Sequence, residues 1–377
     1  MNRTASLYRS LVAAQPETGP ASVHIDITNS CNTNCITCWD HSPHLDVPRP
    51  AEWKRTRVSL EQVEEILDDL VRLGGLEAIV LSGMGEPFTH PQVYEIIEAI
   101  KDRGLHLTII TNLVAAAPER IIALGVDQLL IGVHGATEGS YLAFHPSFRA
   151  VEWERLCTML DRFREAKRRF KHVQVIAKTN AHELVQMVEF AARYESGQLN
   201  FKLASLGEGT EATRIDFQQR KSLVDAIPTA AARAAELGVE TNLRVFAAQL
   251  AAGGSATAPI EATGCFMGFV YARILVDGTV LYCCNTDVVV GRLGPTTRFS
   301  DLWSGATWQS WRERFREGRY LASCRQCGKI NQNDKIARAI ERSYGQAALF
   351  AVTGRGPGMR PTVDTPIRRR LELARGE

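Results

Sequence analysis

Residues 31–39 read Cys31-Asn32-Thr33-Asn34-Cys35-Ile36-Thr37-Cys38-Trp39 and follow directly on the apolar run Val23-His24-Ile25-Asp26-Ile27. Three thiols within eight residues, set at the end of a strand-like run, form a ligand loop. Thiolates at this spacing converge on one soft metal centre, and three of them around a 4Fe-4S cubane would leave one iron free of protein. An open iron takes a small-molecule ligand. The competing readings are a disulfide scaffold or a zinc knuckle closed by His41 or His44, since zinc ordinarily takes a fourth Cys or His at short spacing.

With Trp39 behind it, the triplet resembles the hallmark of the radical S-adenosylmethionine superfamily, Cys-x3-Cys-x2-Cys followed by an aromatic. Cys31, Cys35, Cys38 and Trp39 match it position for position. The resemblance implies that the free iron chelates the amino and carboxylate groups of S-adenosyl-L-methionine. It also implies that the reduced cluster cleaves the sulfonium to a 5'-deoxyadenosyl radical, with electrons from a flavodoxin- or ferredoxin-type donor.

Composition agrees with a packed enzyme. The 377 residues suggest one large domain with an appendage, or two domains. Lys and Arg total 44 against 42 Asp and Glu, and a net charge of +2 makes no case for nucleic acid or an acidic membrane. There is no apolar run of about 18 residues and no signal-peptide core at the N-terminus, so a cytoplasmic location is expected. In a reducing compartment the nine cysteines, eight of them in two groups, read as metal ligands rather than disulfides.

From Val23 the chain alternates β-branched runs with 3.6-period segments, the pattern of repeated β-α units and a parallel sheet. Six strands are expected at about 23–28, 77–82, 106–111, 127–133, 172–178 and 199–204. Helices are expected at about 59–73, 91–103, 116–124, 149–170, 181–195 and 211–237. Ser59 and Gln62 have capping-box spacing. Six units fit the partial (β/α)6 TIM-type barrel typical of the superfamily, with the reactive face at the C-terminal ends of the strands. The expected organisation is a leader over 1–22, the barrel over 23–238, a linker over 239–262, an iron–sulfur extension over 263–350 and a flexible Arg/Pro-rich tail over 351–377.

Candidate ligand loops fall at the strand ends. Ser82-Gly83-Met84-Gly85-Glu86-Pro87 resembles the superfamily's Gly-Gly-Glu-Pro motif, which implies that Gly83, Gly85, Glu86 and Pro87 hold the methionyl amine. Glycine there lets backbone approach closely, and Glu86 accepts from an ammonium. His134, before Gly135-Ala136-Thr137, is a candidate for ribose, carboxylate or substrate. Lys178 and Asn180 are candidates for ribose or carboxylate, and the backbone around Leu206 for adenine. Glu208, flanked by Gly207 and Gly209, is a candidate substrate contact. Each has the plain alternative of a solvated or structural loop residue.

A second cysteine group follows: Cys265, Cys283, Cys284, Cys324 and Cys327. Residues 272–276, Asp277-Gly278 and 279–282 read as a hairpin with an Asp-Gly turn, and four thiolates can close a second metal site. Cys265, Gly278 and Cys283 resemble the opening signature of SPASM and twitch extensions, which implies an auxiliary 4Fe-4S cluster held by Cys265, Cys283, Cys324 and Cys327. No cysteine follows Cys327, so the one-cluster twitch form fits best. A four-cysteine zinc ribbon uses the same ligand type. Cys284 points to the opposite strand face from Cys283 and reads as a buried thiol, a substitute ligand or a hydrogen-atom donor. Trp303, Trp308 and Trp311 fall on a helical pattern and read as packing.

Together these parts predict a radical enzyme that abstracts a hydrogen atom from a small polar metabolite of the sugar or aminocyclitol type. Dehydrogenation or epimerisation in natural-product biosynthesis is expected, because the layout resembles that of the aminocyclitol dehydrogenase of butirosin formation. With the cluster motif starting at residue 31, no peptide-recognition domain is expected ahead of it. Modification of a ribosomal peptide is the second expectation, and a non-catalytic zinc protein a third.

Overall fold

A computed structural model describes residues 3–252, 258–356 and 358–364. The six expected strands form: β1 (Ser22–Asp26), β2 (Ala78–Ser82), β3 (His106–Thr111), β4 (Gln128–Gly132), β5 (Lys171–Ile176) and β6 (Gln198–Leu203). Between them lie the amphipathic helices that the periodicity predicts. The architecture is a parallel-rich α/β fold, divided into two compact units.

One unit comprises Asp26–Val58 and Val80–Gly254. Its strands run in the order β6-β5-β4-β3-β2, with parallel registers that pair Thr108 with Gln128, Leu130 with Lys171 and Lys171 with Gln198. Leu107, Ile109 and Thr111 alternate inward along β3, as a pleated strand requires. Against β5 and β6 pack the helices Leu184–Arg193, Phe217–Glu236 and Leu243–Ala251, which bury Met187, Val188, Leu223 and Phe246 against Ile176, Leu199 and Phe201.

The stretch 239–262, expected as a linker, contains the last of those helices. Leu243, Phe246 and Leu250 stand at helical spacing inside an alanine-rich run whose small residues mask the pattern. Residues 253–257 of that stretch lie outside the described residues. Asn242, just ahead of the helix, accepts from Phe201 N–H at 2.7 Å and donates to Phe201 C=O at 2.9 Å, so one side chain satisfies both backbone groups of a buried residue.

The other unit comprises Met1–Ile25, Ser59–Ile79 and Ser255–Glu377. The expected hairpin forms as β7 (Tyr271–Ile274) and β8 (Thr279–Leu281), antiparallel, joined through Gly278 at φ 84°. β9 (Val289–Arg292) extends it. β7 also pairs in parallel with β1, Ser22 opposite Tyr271, which gives the order β1-β7-β8-β9. The helix Leu60–Leu73 starts in the predicted capping box of Ser59 and Gln62 and buries Val63, Leu67 and Leu70. Its Asp69 accepts from Ser300 N–H and Oγ, which anchors the helix Phe299–Trp303. The expected leader contains the helix Arg3–Ala13. Of the expected tail, Thr362–Val363 pair with Arg319–Tyr320, while residues 357 and 365–377 lie outside the described residues.

Replacing Asn242 with Ala strands a donor and an acceptor at Phe201, which costs about 1–3 kcal/mol per orphaned group. The Asn242→Ala protein is expected to unfold at clearly lower urea concentration than wild type. An unchanged midpoint would mean that water substitutes for the amide.

Candidate metal centres and the loops that hold them

The first thiol loop leaves β1 and is fastened on every side by backbone. Ser30 C=O accepts from Glu86 N–H at 2.8 Å and from the Thr89 hydroxyl at 3.0 Å. A Cβ on Gly85 would stand 2.1 Å from that same carbonyl oxygen, and one on Gly83 would stand 2.9 Å from Thr28 C=O. Only glycine lets these two loops touch. Farther along, Asn112 donates to Asn32 Oδ1 at 2.8 Å, Ser147 N–H donates to Asn34 Oδ1 at 2.8 Å, and Ile36 N–H donates to Phe144 C=O at 3.0 Å. The polar residues between the cysteines are therefore braces. Two asparagines between closely spaced cysteines are the signal of that role in the sequence.

Cys31, Cys35 and Cys38 are free thiols set within electrostatic reach of one another. Burial pushes Cys31 up to about 12, with the Glu86 charge adding to it, and burial also raises Cys35 and Cys38. Three thiols that hold their protons this firmly become ligands only when a cation takes the protons' place. That donor set fits an iron–sulfur cluster. Among the described residues no three His, Cys, Asp or Glu side chains draw tight enough for a single ion; a cubane takes its thiolates on separate corners. His41 packs beside Trp53, and His44 is exposed.

Glu86 is 3% exposed and already engaged. It accepts from Thr111 Oγ1 at 2.6 Å, Asn112 N–H at 2.7 Å and Phe88 N–H at 3.2 Å, tying the end of β2 to the end of β3. A carboxylate offers about four acceptor positions, so one is left. Burial lifts its carboxyl to about 7 against the pull of those bonds.

At the next strand ends, His134 takes the left-handed backbone at φ 60°, and its ring lies over Gly132, where a Cβ would stand 2.7 Å from Nε2. Its Nδ1 accepts from Val175 N–H at 3.0 Å, which fixes a neutral imidazole protonated on Nε2. Burial, with His145 adding to it, holds that imidazole well below its ordinary range. Asn180 donates to His134 C=O and Val175 C=O, both at 2.9 Å, and accepts from Ala177 N–H. These two residues lock the rims of β4 and β5 together. Lys178 is exposed, and its C=O accepts from Gln219.

The Trp39 indole donates to Ser205 C=O at 2.7 Å, beside half-buried Leu206. Glu208 is exposed at φ 59°, and its C=O accepts from Asp46 N–H at 2.9 Å. The structure thus brings Trp39 to the Leu206 loop and Glu208 to the loop after the cysteines. Pro87 opens the short helical turn Pro87–Thr89 and is buried.

The second thiol group is assembled from three segments. Cys265 follows the turn Ile260–Thr263, Cys283 and Cys284 follow β8, and Cys324 and Cys327 lie on and after the turn Ala322–Gln326. Burial raises Cys265 and Cys283 strongly, Cys324 to about 11 and Cys327 to about 12. In each case the charge of Cys284 also contributes. Cys284 therefore sits with the four expected ligands, its Sγ 3.3 Å from where a Cβ on Gly328 would lie. Asn333, fully buried, donates to Cys327 Sγ and accepts from Phe266 N–H at 2.9 Å, so one amide orients two ligand segments. Trp303 and Trp308 are buried edge to face at 4.6 Å, and Trp311 packs on Phe315.

Gly85→Ala is expected to lever the cysteine loop away and to halve reconstituted iron, from about eight atoms per chain to about four, with secondary structure retained. Full iron loading would show that the loops separate without cost. Glu86 supplies a pH test in iron-free protein. A carboxyl whose folded value exceeds its unfolded one stabilises fully below the unfolded value, and that contribution is lost as pH rises through about 7. Between about pH 5 and 8, wild type should lose urea resistance relative to Glu86→Gln; parallel curves would refute it.

Residues 25–191 match the radical SAM superfamily, and residues 265–328 match the SPASM iron–sulfur cluster-binding domain. The chain is 27% identical over 202 residues to the AdoMet-dependent heme synthase of Methanosarcina barkeri, which covers 52% of this chain and 54% of the relative. It therefore spans about half that protein's length. Among solved structures, SuiB of Streptococcus suis bound to its precursor peptide SuiA aligns with a TM-score of 0.61 at 15% identity, over 85% of this chain and 72% of SuiB. The anSMEcpe enzyme with bound AdoMet aligns with a TM-score of 0.59 at 14% identity, over 89% and 90%. No helix among the described residues is long and apolar enough to cross a membrane. Radical SAM domains imply a 4Fe-4S cluster with S-adenosylmethionine, and SPASM domains imply further iron–sulfur clusters. On the strength of its two matched segments, this chain carries a radical SAM domain followed by a SPASM-type iron–sulfur domain.

Proposed function

We propose that this radical SAM enzyme abstracts a hydrogen atom from a small polar metabolite, completing a dehydrogenation or epimerisation with one auxiliary cluster. The observation that carries the reading is the pair of half-buried thiol groups: a triplet on one braced loop and, within the second matched segment, a larger set built from three segments. When bound at the triplet, the cluster and S-adenosylmethionine supply one-electron cleavage of a carbon–sulfur bond and a carbon radical able to take hydrogen.

The chain's own residues bind and orient. Cys31, Cys35 and Cys38 hold the first cluster; Cys265, Cys283, Cys324 and Cys327 hold the second. Gly83 and Gly85 let the backbone of their loop pass close to the ligand, and Glu86 offers its remaining acceptor position to the methionyl ammonium. Pro87 fixes the turn behind it. The Trp39 indole and the Leu206 backbone border the adenine. Lys178 offers its ammonium to the carboxylate, while His134 and Asn180 hold the rim that faces the ribose. Glu208 addresses the substrate, and Cys284 donates hydrogen where inversion is the outcome. A flavodoxin- or ferredoxin-type protein supplies electrons.

A peptide substrate is the second reading, favoured by the likeness in fold to the SuiB structure determined with its precursor peptide. The test uses reconstituted enzyme, S-adenosylmethionine and a strong reductant under anaerobic conditions. Deuterated polyols and aminocyclitols are offered in parallel with deuterated peptides. Deuterium is expected in 5'-deoxyadenosine from a polyol or aminocyclitol, and none with Cys31, Cys35 and Cys38 replaced by Ala. Label arriving from peptides alone would establish the second reading, and absence of 5'-deoxyadenosine would end both.

A further inference from the structure

Within the SPASM segment stands a buried cation that no carboxylate among the described residues neutralises. Arg312, on the helix Ala306–Arg316, is 1% exposed. Its Nε donates to Gly268 C=O at 2.9 Å and one terminal nitrogen donates to Trp303 C=O at 2.8 Å; the other, NH2, is buried with no hydrogen-bond partner. The guanidinium lies 4.4 Å from the centre of the Trp303 ring and 5.5 Å from that of Trp308. Among the described residues no carboxylate pairs with it; the one group whose charge acts on it is Tyr282. Two carbonyl dipoles and aromatic faces offset part of the cost of burying a guanidinium, but an isolated buried charge ordinarily demands a counter-charge.

The surroundings point to where that counter-charge lies. Gly268, whose carbonyl Arg312 holds, is three residues past Cys265. Tyr282 immediately precedes Cys283, and its ring is pressed so closely on Gly268 that a Cβ there would stand 2.0 Å from it. The Tyr282 hydroxyl is itself buried against the Gly268 backbone, and the charges of Cys265, Arg312 and Cys283 all act on it. Arg312 thus holds the carbonyl three residues past Cys265 and lies within electrostatic reach of the tyrosine next to Cys283, and among the described residues no acid pairs with it. Four thiolates around a four-iron cluster give that body a net negative charge, which grows when the cluster accepts an electron.

We propose that Arg312 is the counter-charge of the auxiliary cluster, a residue that raises its reduction potential by favouring the more negative, reduced form. It is a positioning and electrostatic residue that need not touch the cluster. The inference rests on the reading that the C-terminal thiols bind such a cluster.

The test uses full-length protein with Cys31, Cys35 and Cys38 replaced by Ala, so that only the second site carries iron. Arg312, Arg312→Lys and Arg312→Met forms are reconstituted anaerobically, and the cluster is titrated potentiometrically by electron paramagnetic resonance. Arg312→Met should shift the one-electron equilibrium toward the oxidised form at least tenfold, a fall of about 59 mV. Arg312→Lys, which keeps the charge but loses the planar fork, should stay within a few-fold of Arg312. Failure of the Met form to take up iron while the Lys form does so would also support the proposal. Equal potentials in all three forms, or loss of iron in Lys and Met alike, would overturn it and leave Arg312 a packing residue. If the parent protein takes up no iron, the auxiliary-cluster reading falls instead.

Discussion

Ser30 C=O receives Glu86 N–H across a gap that only a glycine can leave open, and the first metal site depends on that meeting. The thiol triplet is local in sequence, but a loop of that length has no shape of its own. Its shape comes from strand ends that reach it at Ser30 and Asn32 and from the end of the helix Glu138–Phe144, which reaches it at Asn34 and Ile36. The same buried Glu86 whose N–H grips Ser30 uses its carboxylate to hold Thr111 and Asn112, so three strand ends share one fastening. Disturbing any one of them moves the thiols.

The two thiol groups are built on opposite principles. The first gathers its thiols from eight residues and asks the fold only to brace them. The second draws thiols from positions 265, 283, 324 and 327, which meet only after β7, β8 and the helix Ala306–Arg316 are in place. A cluster that needs such an assembled set stabilises the assembled state, which would couple its binding to folding of the unit.

What the sequence revealed follows from which signals are local. Strand and helix periodicities, the Ser59 capping box, the Asp-Gly hairpin and the cysteine spacings are written over short windows, and the structure contains the elements they describe. The strand-end position of Asn180 marks it as a candidate contact, but the engagement of its amide with three backbone groups is something no single-sequence pattern discloses. The helix Leu243–Ala251 hid in alanines, and the parallel pairing of β7 with β1 joins segments nearly 250 residues apart. Nothing in its local sequence sets Arg312 apart from an exposed arginine, because burial of a charge is decided by tertiary packing and not by its neighbours in sequence.

The side chain of Asn242 has a consequence beyond the two hydrogen bonds it makes. β6 ends the strand order of its unit, and a terminal strand displays a row of unpaired backbone groups that invites another chain to add on. At Phe201 that row is answered by an amide that imitates one residue of a neighbouring strand, and at Leu199 by Glu240 C=O, which accepts its N–H at 2.8 Å. The chain thereby caps its own sheet at the point where molecules could otherwise join edge to edge.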